Sequence, residues 1–297
     1  MLGLQYFSFA DLWNPWQIVL VAAIGALYLI ATGPKRTSWF ADSEPITAGK
    51  KSLFLLGIAI YYFAHGGPLN LLGHLMFSAH MTAMSLAYLI APPLMLLGIP
   101  GWMVRPVMAA KGIGKVIEWL TKPLITVVCF NVLFSFYHLP DVHDYIMTHY
   151  TIHSIFFFVL LVAAFMMWWP IIGPIRDHYK LSELMKMGYI FANGVLITPA
   201  CALIIFADSS VYATYNDPQV WATAMGYCVP AGSDVLLEQF KGPQFFAIFD
   251  AQEDQQLGGV VMKIMQEITY GAALAYIFFN WYFRERAKDD LEPDPIV

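Results

Sequence analysis

Histidine and methionine residues recur at helical spacing in two stretches of the 297-residue chain. Met76, His80 and Met84 follow one another every four residues, and His149 and His153 have the same spacing. Residues four apart lie on one face of a helix. Imidazole nitrogen and thioether sulfur both suit copper, and the soft sulfur favours Cu(I). These residues predict a copper site if the fold brings the two stretches together.

The elements that position them are predicted to span a membrane. Of all residues, 59% are apolar and 12% charged, against about 45–50% and about 25% in soluble domains. A bilayer core about 30 Å thick needs about 20 apolar residues per helix. We therefore predict an all-α, polytopic membrane bundle, a single domain over residues 1–297. Its seven transmembrane helices are predicted at 15–32, 51–67, 74–99, 122–139, 150–172, 187–207 and 258–283.

Positive charge predicts the orientation of the bundle. Fourteen lysines and arginines fall between the first and second, third and fourth, and fifth and sixth spans, or beyond the seventh. The loops of the opposite side contain only Lys241. Because Lys and Arg accumulate in cytoplasmic loops, we expect the N-terminus outside, the C-terminus in the cytoplasm and loop 208–257 to be extracytoplasmic. The net charge of −5, without a basic run, argues against nucleic acid as a partner.

This orientation gathers seven of the eight histidines at the outer face. They are His65, His74, His80, His138, His143, His149 and His153, whereas His178 is expected on the cytoplasmic side. His80 lies six residues beyond His74, about 9 Å deeper at 1.5 Å per residue. An ionisable group at that depth indicates function by default. Taken singly, His65, His74 and His143 are equally well explained as interfacial residues.

Three histidines from different spans are the central ligands of the predicted site: His80, His138 and His153. Helix axes pack 8–10 Å apart, so inward-pointing imidazoles at one depth can converge on one ion. The other candidate ligands are Met84, His149 and His74. Three cysteines without a CxxC pair exclude a disulfide framework and a cysteine-only zinc site.

Other polar and helix-breaking residues allow more than one interpretation. Lys263 and Glu267 are four apart in the last span and could form an ion pair or handle protons. Cys201 could supply a thiolate, although a lone buried cysteine is usually a small hydrophobic residue. Prolines inside the third and sixth spans, Pro92, Pro93 and Pro199, are expected to kink them.

Loop 208–257 is long enough to fold on the outer surface. Asp217 and Pro218 predict the start of a short helix, with Asp as its cap and Pro in its first turn. The aromatic residues Tyr212, Tyr215, Trp221 and Tyr227 could lay the loop against the bilayer or over the histidines.

Several stretches, in order along the chain, resemble the CtaG family of cytochrome c oxidase assembly factors. They are HLMFSAHMTAMSLAYLIAPPLMLLGIP (74–100), FSFYHLPDVHDYIMTHYTIH (134–153), WWP (168–170), ITPACALIIFADSSVYATY (197–215) and DQQLGG (254–259). The resemblance covers about residues 50–285 and implies maturation of a caa-type haem–copper oxidase in a bacterial cell membrane, by helping copper to reach that enzyme. The motif positions that it implies are His74, His80, His138, His153, Asp208, Asp254 and Gln255. Many relatives have histidine where this chain has Met84, and the thioether favours Cu(I).

The sequence thus predicts a metallochaperone of the respiratory chain rather than an enzyme. It would take Cu(I) transiently from an extracytoplasmic copper donor and deliver it to the catalytic subunit of the oxidase. Residues expected beside the site or facing a partner are Asp208, Asp254, Gln255, His143 and Cys201. No GxSxG, HExxH or paired-aspartate motif indicates an intramembrane hydrolase.

Three alternatives stay open at this point. A haem protein could use His80 and His153 as axial ligands. A metal-free scaffold could hold an oxidase subunit, with the histidines as hydrogen-bonding residues. A metal channel would need polar groups through the cytoplasmic half, where spans two to six offer few. The sequence does not decide whether the protein forms homo-oligomers.

Overall fold

The computed structural model describes residues 3–175, 181–229 and 232–289, and this part of the chain is helical, without a β-strand. The α-helices are α1 (Phe9–Trp13), α2 (Pro15–Ala31), α3 (Arg36–Trp39), α4 (Ala48–His65), α5 (Pro68–Leu75), α6 (Phe77–Met84), α7 (Ala91–Gly98), α8 (Gly101–Ala109), α9 (Ile113–Leu120), α10 (Pro123–Tyr137), α11 (Pro140–Met147), α12 (Tyr150–Ile172), α13 (Glu183–Ile205), α14 (Pro218–Met225), α15 (Ser233–Phe240) and α16 (Ala251–Asp289). His178, with Arg176 and Lys180, lies outside the described residues.

Several of these helices are suited to a bilayer. Five stretches are long and apolar enough to cross it: Phe9–Ala31, Ala48–Leu75, Phe77–Gly98, Tyr150–Ile172 and Glu183–Ile205. A sixth candidate is the pair α9 and α10, which meet at 72°. The described residues therefore confirm a helical multi-pass protein and give five or six candidate spans. The predicted span 258–283 lies within α16. This helix is not among the stretches that are apolar enough to cross a bilayer, because it contains polar residues.

The third span is not one regular helix. A π-helical stretch, Ser85–Ile90, joins α6 to α7, and Pro92 and Pro93 lie in the first turn of α7. A π-helical segment is a wider turn that interrupts the regular hydrogen-bond ladder. Since prolines donate no backbone hydrogen bond, this is where the third span departs from a regular helix.

Helices α6 and α16 approach each other closely at Gly258. A Cβ atom on Gly258 would lie 2.7 Å from Cδ1 of Phe77 and 3.0 Å from Cγ of Met81. Phe77 and Met81 are buried in the main core of the bundle. The absence of a side chain at Gly258 thus sets the position of α6, which carries His80.

The polar pair in α16 forms an ion pair. Nζ of Lys263 lies 2.7 Å from Oε1 of Glu267. The ammonium group also donates to Oγ1 of Thr198 at 3.0 Å and to Oε1 of Gln266 at 3.1 Å. The contact with Thr198 links α16 to α13. Of the two interpretations of these charges, the structure shows the ion pair.

The segment 208–257 folds against the end of the bundle that carries the histidines. It contains α14 and α15 with two 3-10 turns, Ala213–Tyr215 and Pro243–Phe245. Asp217 caps α14 as predicted, since its carboxylate accepts hydrogen bonds from the backbone N–H groups of Gln219 and Val220. Trp221 is fully buried in a small core that also contains Leu71 of α5. The rings of Tyr212 and Tyr215 lie 4.6 and 5.7 Å from that of His143, so these aromatic residues pack the segment over this histidine.

Candidate functional site

Four histidines and one methionine from four helices surround a single small space. His65 ends α4, His74 lies in α5, His80 and Met84 lie in α6, and His153 lies in α12; all five line a pocket of about 20 Å³. A space of that size holds about one water molecule. We call it the inner pocket.

A helix break allows His74 and His80 to reach the same pocket. The chain is extended at Met76, between α5 and α6, with φ −139° and ψ 134°. Gly73 packs so closely on α6 that a Cβ there would lie 3.1 Å from Cα of His80. Met76 is therefore the N-cap of α6, and its carbonyl accepts a hydrogen bond from the N–H of His80. His80 and Met84 line the inner pocket, and Met76 does not.

Buried tyrosines hold two of the pocket histidines. Nε2 of His80 shares a hydrogen bond of 2.9 Å with the hydroxyl of Tyr137, which is fully buried. Nε2 of His65 shares one of 2.7 Å with the hydroxyl of Tyr88. A metal ion at either nitrogen would have to replace the tyrosine as its partner.

His74 presents a different nitrogen environment. Its Nδ1–H donates to the backbone carbonyl of Asn70 at 2.9 Å, and Sγ of Cys228 lies 3.4 Å from Nε2. The carbonyl can only accept, so the neutral ring has its lone pair on Nε2. Metal-binding histidines are oriented in this way, with the second ring nitrogen bonded to a carbonyl or carboxylate.

Two of the predicted ligands lie away from the inner pocket. His138 follows α10; its Nδ1–H donates to the carbonyl of Phe134 at 2.7 Å, and its buried Nε2 has no partner. His149 is exposed, and its Nδ1–H donates to the carbonyl of Tyr145 at 2.7 Å. His74, His80, His153 and Met84 therefore line the inner pocket, whereas His138 and His149 do not line it.

His143 lies behind the pocket, beside His80. The two rings are 5.5 Å apart, and His143 is fully buried with no partner at Nε2. Burial lowers the pKa of His143, and the neighbouring Asp144 offsets this only in part. The imidazole is therefore neutral at pH 7 and can be a ligand or an acceptor.

The remaining predicted residues are spread around the site. Asp254 is buried and accepts hydrogen bonds from Ser78 at the start of α6. Gln255 is buried; its Oε1 accepts from the N–H of Val211, and its Nε2 donates to the carbonyl of Ile204. Cys201 is buried 4.0 Å from Sδ of Met262, and Asp208 is exposed. Asp254 thus contacts the helix that carries His80, and Gln255 links α16 to residues 204 and 211. Asp254, Gln255, Cys201 and Asp208 do not line the inner pocket.

A larger side cavity adjoins the inner pocket. Its volume is about 390 Å³, and His65, His74 and His153 line both spaces. Met147 and Cys228 also line this cavity. Its rim includes Tyr150 and Phe158, which are more than half exposed, so the cavity reaches the surface of the bundle.

Three contributors to this site were not among the ligands predicted from the sequence. The sequence explains His65 equally well as an interfacial residue, and it assigns no role to Cys228 or Tyr137. A histidine at the end of an apolar span was a usable signal for His65. No local pattern marks Cys228, because its contact with His74 joins residues 154 positions apart.

The chemistry of the donor set fits a soft metal ion, since imidazole, thioether and thiol all suit copper. Two buried nitrogens, Nε2 of His138 and Nε2 of His143, have no hydrogen-bond partner. Within the described ranges, no group of three or more His, Cys, Asp or Glu side chains is arranged to hold a metal ion. A bound ion would therefore need side-chain rotation.

Fold and site together define an all-helical, multi-pass membrane protein with a histidine-rich pocket near one end of its bundle. The chain belongs to the family of cytochrome c oxidase caa3 assembly factors (Caa3_CtaG), whose family model matches residues 26–284. This confirms the family resemblance found in the sequence and the membrane localisation. No curated protein and no solved structure matches the chain.

Proposed function

We propose that this protein helps to mature a caa-type oxidase by binding Cu(I) at the inner pocket and passing it to the catalytic subunit. An extracytoplasmic donor would supply the copper, and the protein would carry out no reaction of its own. The observation that supports this most is the convergence of His65, His74, His80, His153 and Met84 on one space the size of an ion. The family of oxidase assembly factors supplies the context.

The hydrogen bonds of the pocket favour transient rather than permanent binding. Tyr88 and Tyr137 already occupy nitrogens of His65 and His80, so copper competes with internal partners. A structural metal site is closed and fully coordinated, whereas an exchanging site keeps an open position. Ligands that return to tyrosine hydroxyls once copper leaves would suit a carrier.

The proposal includes a topology with seven spans and the N-terminus outside. The seventh span would be the part of α16 at residues 258–283, whose Lys263 and Glu267 neutralise each other. The charge asymmetry of the loops supports this orientation. It places the inner pocket and the segment 208–257 on the extracytoplasmic side, where the copper donor would be.

The haem alternative receives less support from the geometry. Sites for cofactors of drug-like size enclose about 300–1,000 Å³, whereas the pocket between His80 and His153 measures about 20 Å³. The side cavity is large enough, but His80 does not line it. A macrocycle held by His80 and His153 would require the helices to separate.

The experiment is complementation in copper-limited cells that lack the gene. We expect such cells to make the oxidase subunits but to show low oxidase activity. Wild-type protein and the His149→Ala variant should restore activity, whereas His80→Ala and the more conservative His80→Gln should not. Immunoblotting of membranes confirms that each variant is inserted. Equal oxidase activity with and without the gene would contradict the assembly role.

A further inference from the structure

We propose that Cys228 and His74 form an entry port for Cu(I) in the side cavity, from which the ion moves to the inner pocket. This inference rests on the proposed function and adds to it a thiolate ligand and a route for the ion. It assigns a role to a cysteine in the segment 208–257.

The two donor atoms are already in contact. Nε2 of His74 carries the free lone pair and lies 3.4 Å from Sγ of Cys228. Metal–nitrogen and metal–sulfur bonds are about 2.0 and 2.3 Å long. If an ion binds both atoms at this spacing, the nitrogen–metal–sulfur angle is about 105°. That angle is close to tetrahedral, so an ion can replace the thiol proton without a large movement of the backbone.

Among the three cysteines, Cys228 has the surroundings of a metal ligand. It is half-buried and lines the side cavity that reaches the surface. Cys201 is buried against a thioether, and Cys129 lines neither the side cavity nor the inner pocket. Soft thiolate ligands select Cu(I) among the copper states, and the adjoining imidazole completes a sulfur–nitrogen pair.

A third ligand is within reach. The imidazole of His153 makes no hydrogen bond among the described residues, and its ring lies 6.1 Å from that of His74. Two imidazoles that bind one ion at about 2 Å from each nitrogen place their rings roughly 5–6 Å apart. His153 can therefore join the ion by a small rotation, and it lines both the side cavity and the inner pocket.

Ligand exchange through this shared wall would carry the ion inward. On entry, the bonds between copper and its donor break, the bonds from copper to Sγ of Cys228 and to Nε2 of His74 form, and the thiol proton of Cys228 leaves to water. On transfer, the copper–sulfur bond breaks and Cys228 takes a proton back from water. His80 and Met84 then replace Cys228 as ligands of the ion. Copper stays Cu(I) throughout, so no electron donor or acceptor is needed.

The test is anaerobic loading of the purified full-length protein with Cu(I) supplied as its bicinchoninate complex. It compares the wild type with Cys228→Ser, with Cys201→Ser as the matched control, and with His80→Ala. Copper K-edge absorption reports the ligands, and the colour of the competing complex reports the rate. Alkylation of Cys228 in a Cys129→Ser/Cys201→Ser background reports whether Cu(I) protects the thiol.

We expect Cys228→Ser to load at least tenfold more slowly and to reach nearly the wild-type copper content. Its spectrum should lack the thiolate sulfur of Cys228 and keep the thioether sulfur of Met84. Cys201→Ser should behave as the wild type, and His80→Ala should keep the thiolate signal while holding less copper. Unchanged rate and spectrum in Cys228→Ser, or alkylation unaffected by Cu(I), would overturn the port and leave the proposed function standing. A wild-type protein that binds no Cu(I) would overturn both.

Discussion

The carboxylate of Asp254 in α16 accepts two hydrogen bonds from Ser78, one from its backbone N–H at 3.2 Å and one from its hydroxyl. Ser78 lies in the first turn of α6, two residues before His80. A carboxylate at a helix N-terminus accepts hydrogen bonds from the free N–H groups there, and its negative charge interacts favourably with the helix dipole. The DQQLGG stretch, far from the histidines in sequence, thus fixes the start of the helix that carries His80.

Replacement of Asp254 by Asn should weaken this anchor. We expect a loss of about 1 kcal/mol in the free energy of unfolding, because charge-assisted hydrogen bonds are about twice as strong as neutral ones. Thermal unfolding in detergent measures the change. The matched control is Asp208→Asn, since Asp208 is exposed. Equal transition temperatures for the two variants would contradict the anchoring role.

Close packing at Gly258 predicts a second effect on α6. The Gly258→Ala variant places a methyl group 2.7 Å from Cδ1 of Phe77, and such overpacking costs typically about 1–3 kcal/mol. In the same helix, Gly271→Ala meets no atom within 4 Å and should be neutral or slightly stabilising. Thermal unfolding of both variants measures the two changes in stability. A loss of stability in Gly271→Ala equal to that in Gly258→Ala would show that the contact with Phe77 is unimportant.

The local pattern of the sequence predicted the class of fold and much of the site. Composition and span length gave the helical membrane bundle, and the one-sided histidines gave the region where His74, His80 and His153 meet. Depth along a helix does not fix its rotation. The sequence therefore could not show that His138, bonded to the carbonyl of Phe134, and the exposed His149 do not line the inner pocket.

Other features depend on contacts that no local pattern encodes. The break at Met76 follows from the packing of α5 on α6, where Gly73 lies against His80. The pairing of Cys228 with His74 depends on how the segment 208–257 lies over the bundle. These contacts join distant parts of the chain, and one sequence carries no direct signal for them.

The attachment of the segment 208–257 is expected to depend on pH through Asp144. Its carboxylate accepts from the N–H of Ala213 at 2.8 Å and from the N–H and hydroxyl of Thr214 at 3.0 and 2.7 Å. Burial alone would raise the pKa of Asp144, but hydrogen bonds from His143 and Thr214 outweigh it and hold the pKa below the ordinary 3.8. The stabilisation is therefore complete above the unfolded-state pKa and is lost as the pH falls through the lower folded-state value.

Amide hydrogen exchange at residues 213–214 measures this attachment. We expect protection at neutral pH that falls in the wild type below about pH 4. The Asp144→Asn variant should exchange roughly tenfold faster already at pH 7, as weaker hydrogen bonds would allow. Asp141→Asn in the same short helix is the control, since Asp141 is exposed. Wild-type exchange rates in Asp144→Asn would contradict the attachment of this segment through Asp144.

The proposed orientation is tested by labelling single cysteines in intact cells. In a background without Cys129, Cys201 and Cys228, an impermeant maleimide should label Asp141→Cys and should not label Lys111→Cys. Both positions are exposed in the fold, so access depends on the side of the membrane. Labelling of Lys111→Cys in intact cells would reverse the orientation and place the inner pocket on the cytoplasmic side.

The most direct measurement of the central claim is copper per protein after purification in detergent. The variants are His80→Ala and His153→Ala, whose side chains line the inner pocket, and His149→Ala, one turn from His153 but exposed. We expect copper in the wild type and in His149→Ala, and loss of most of the copper in His80→Ala and His153→Ala. The same copper content in all four proteins, or a loss confined to His149→Ala, would contradict it.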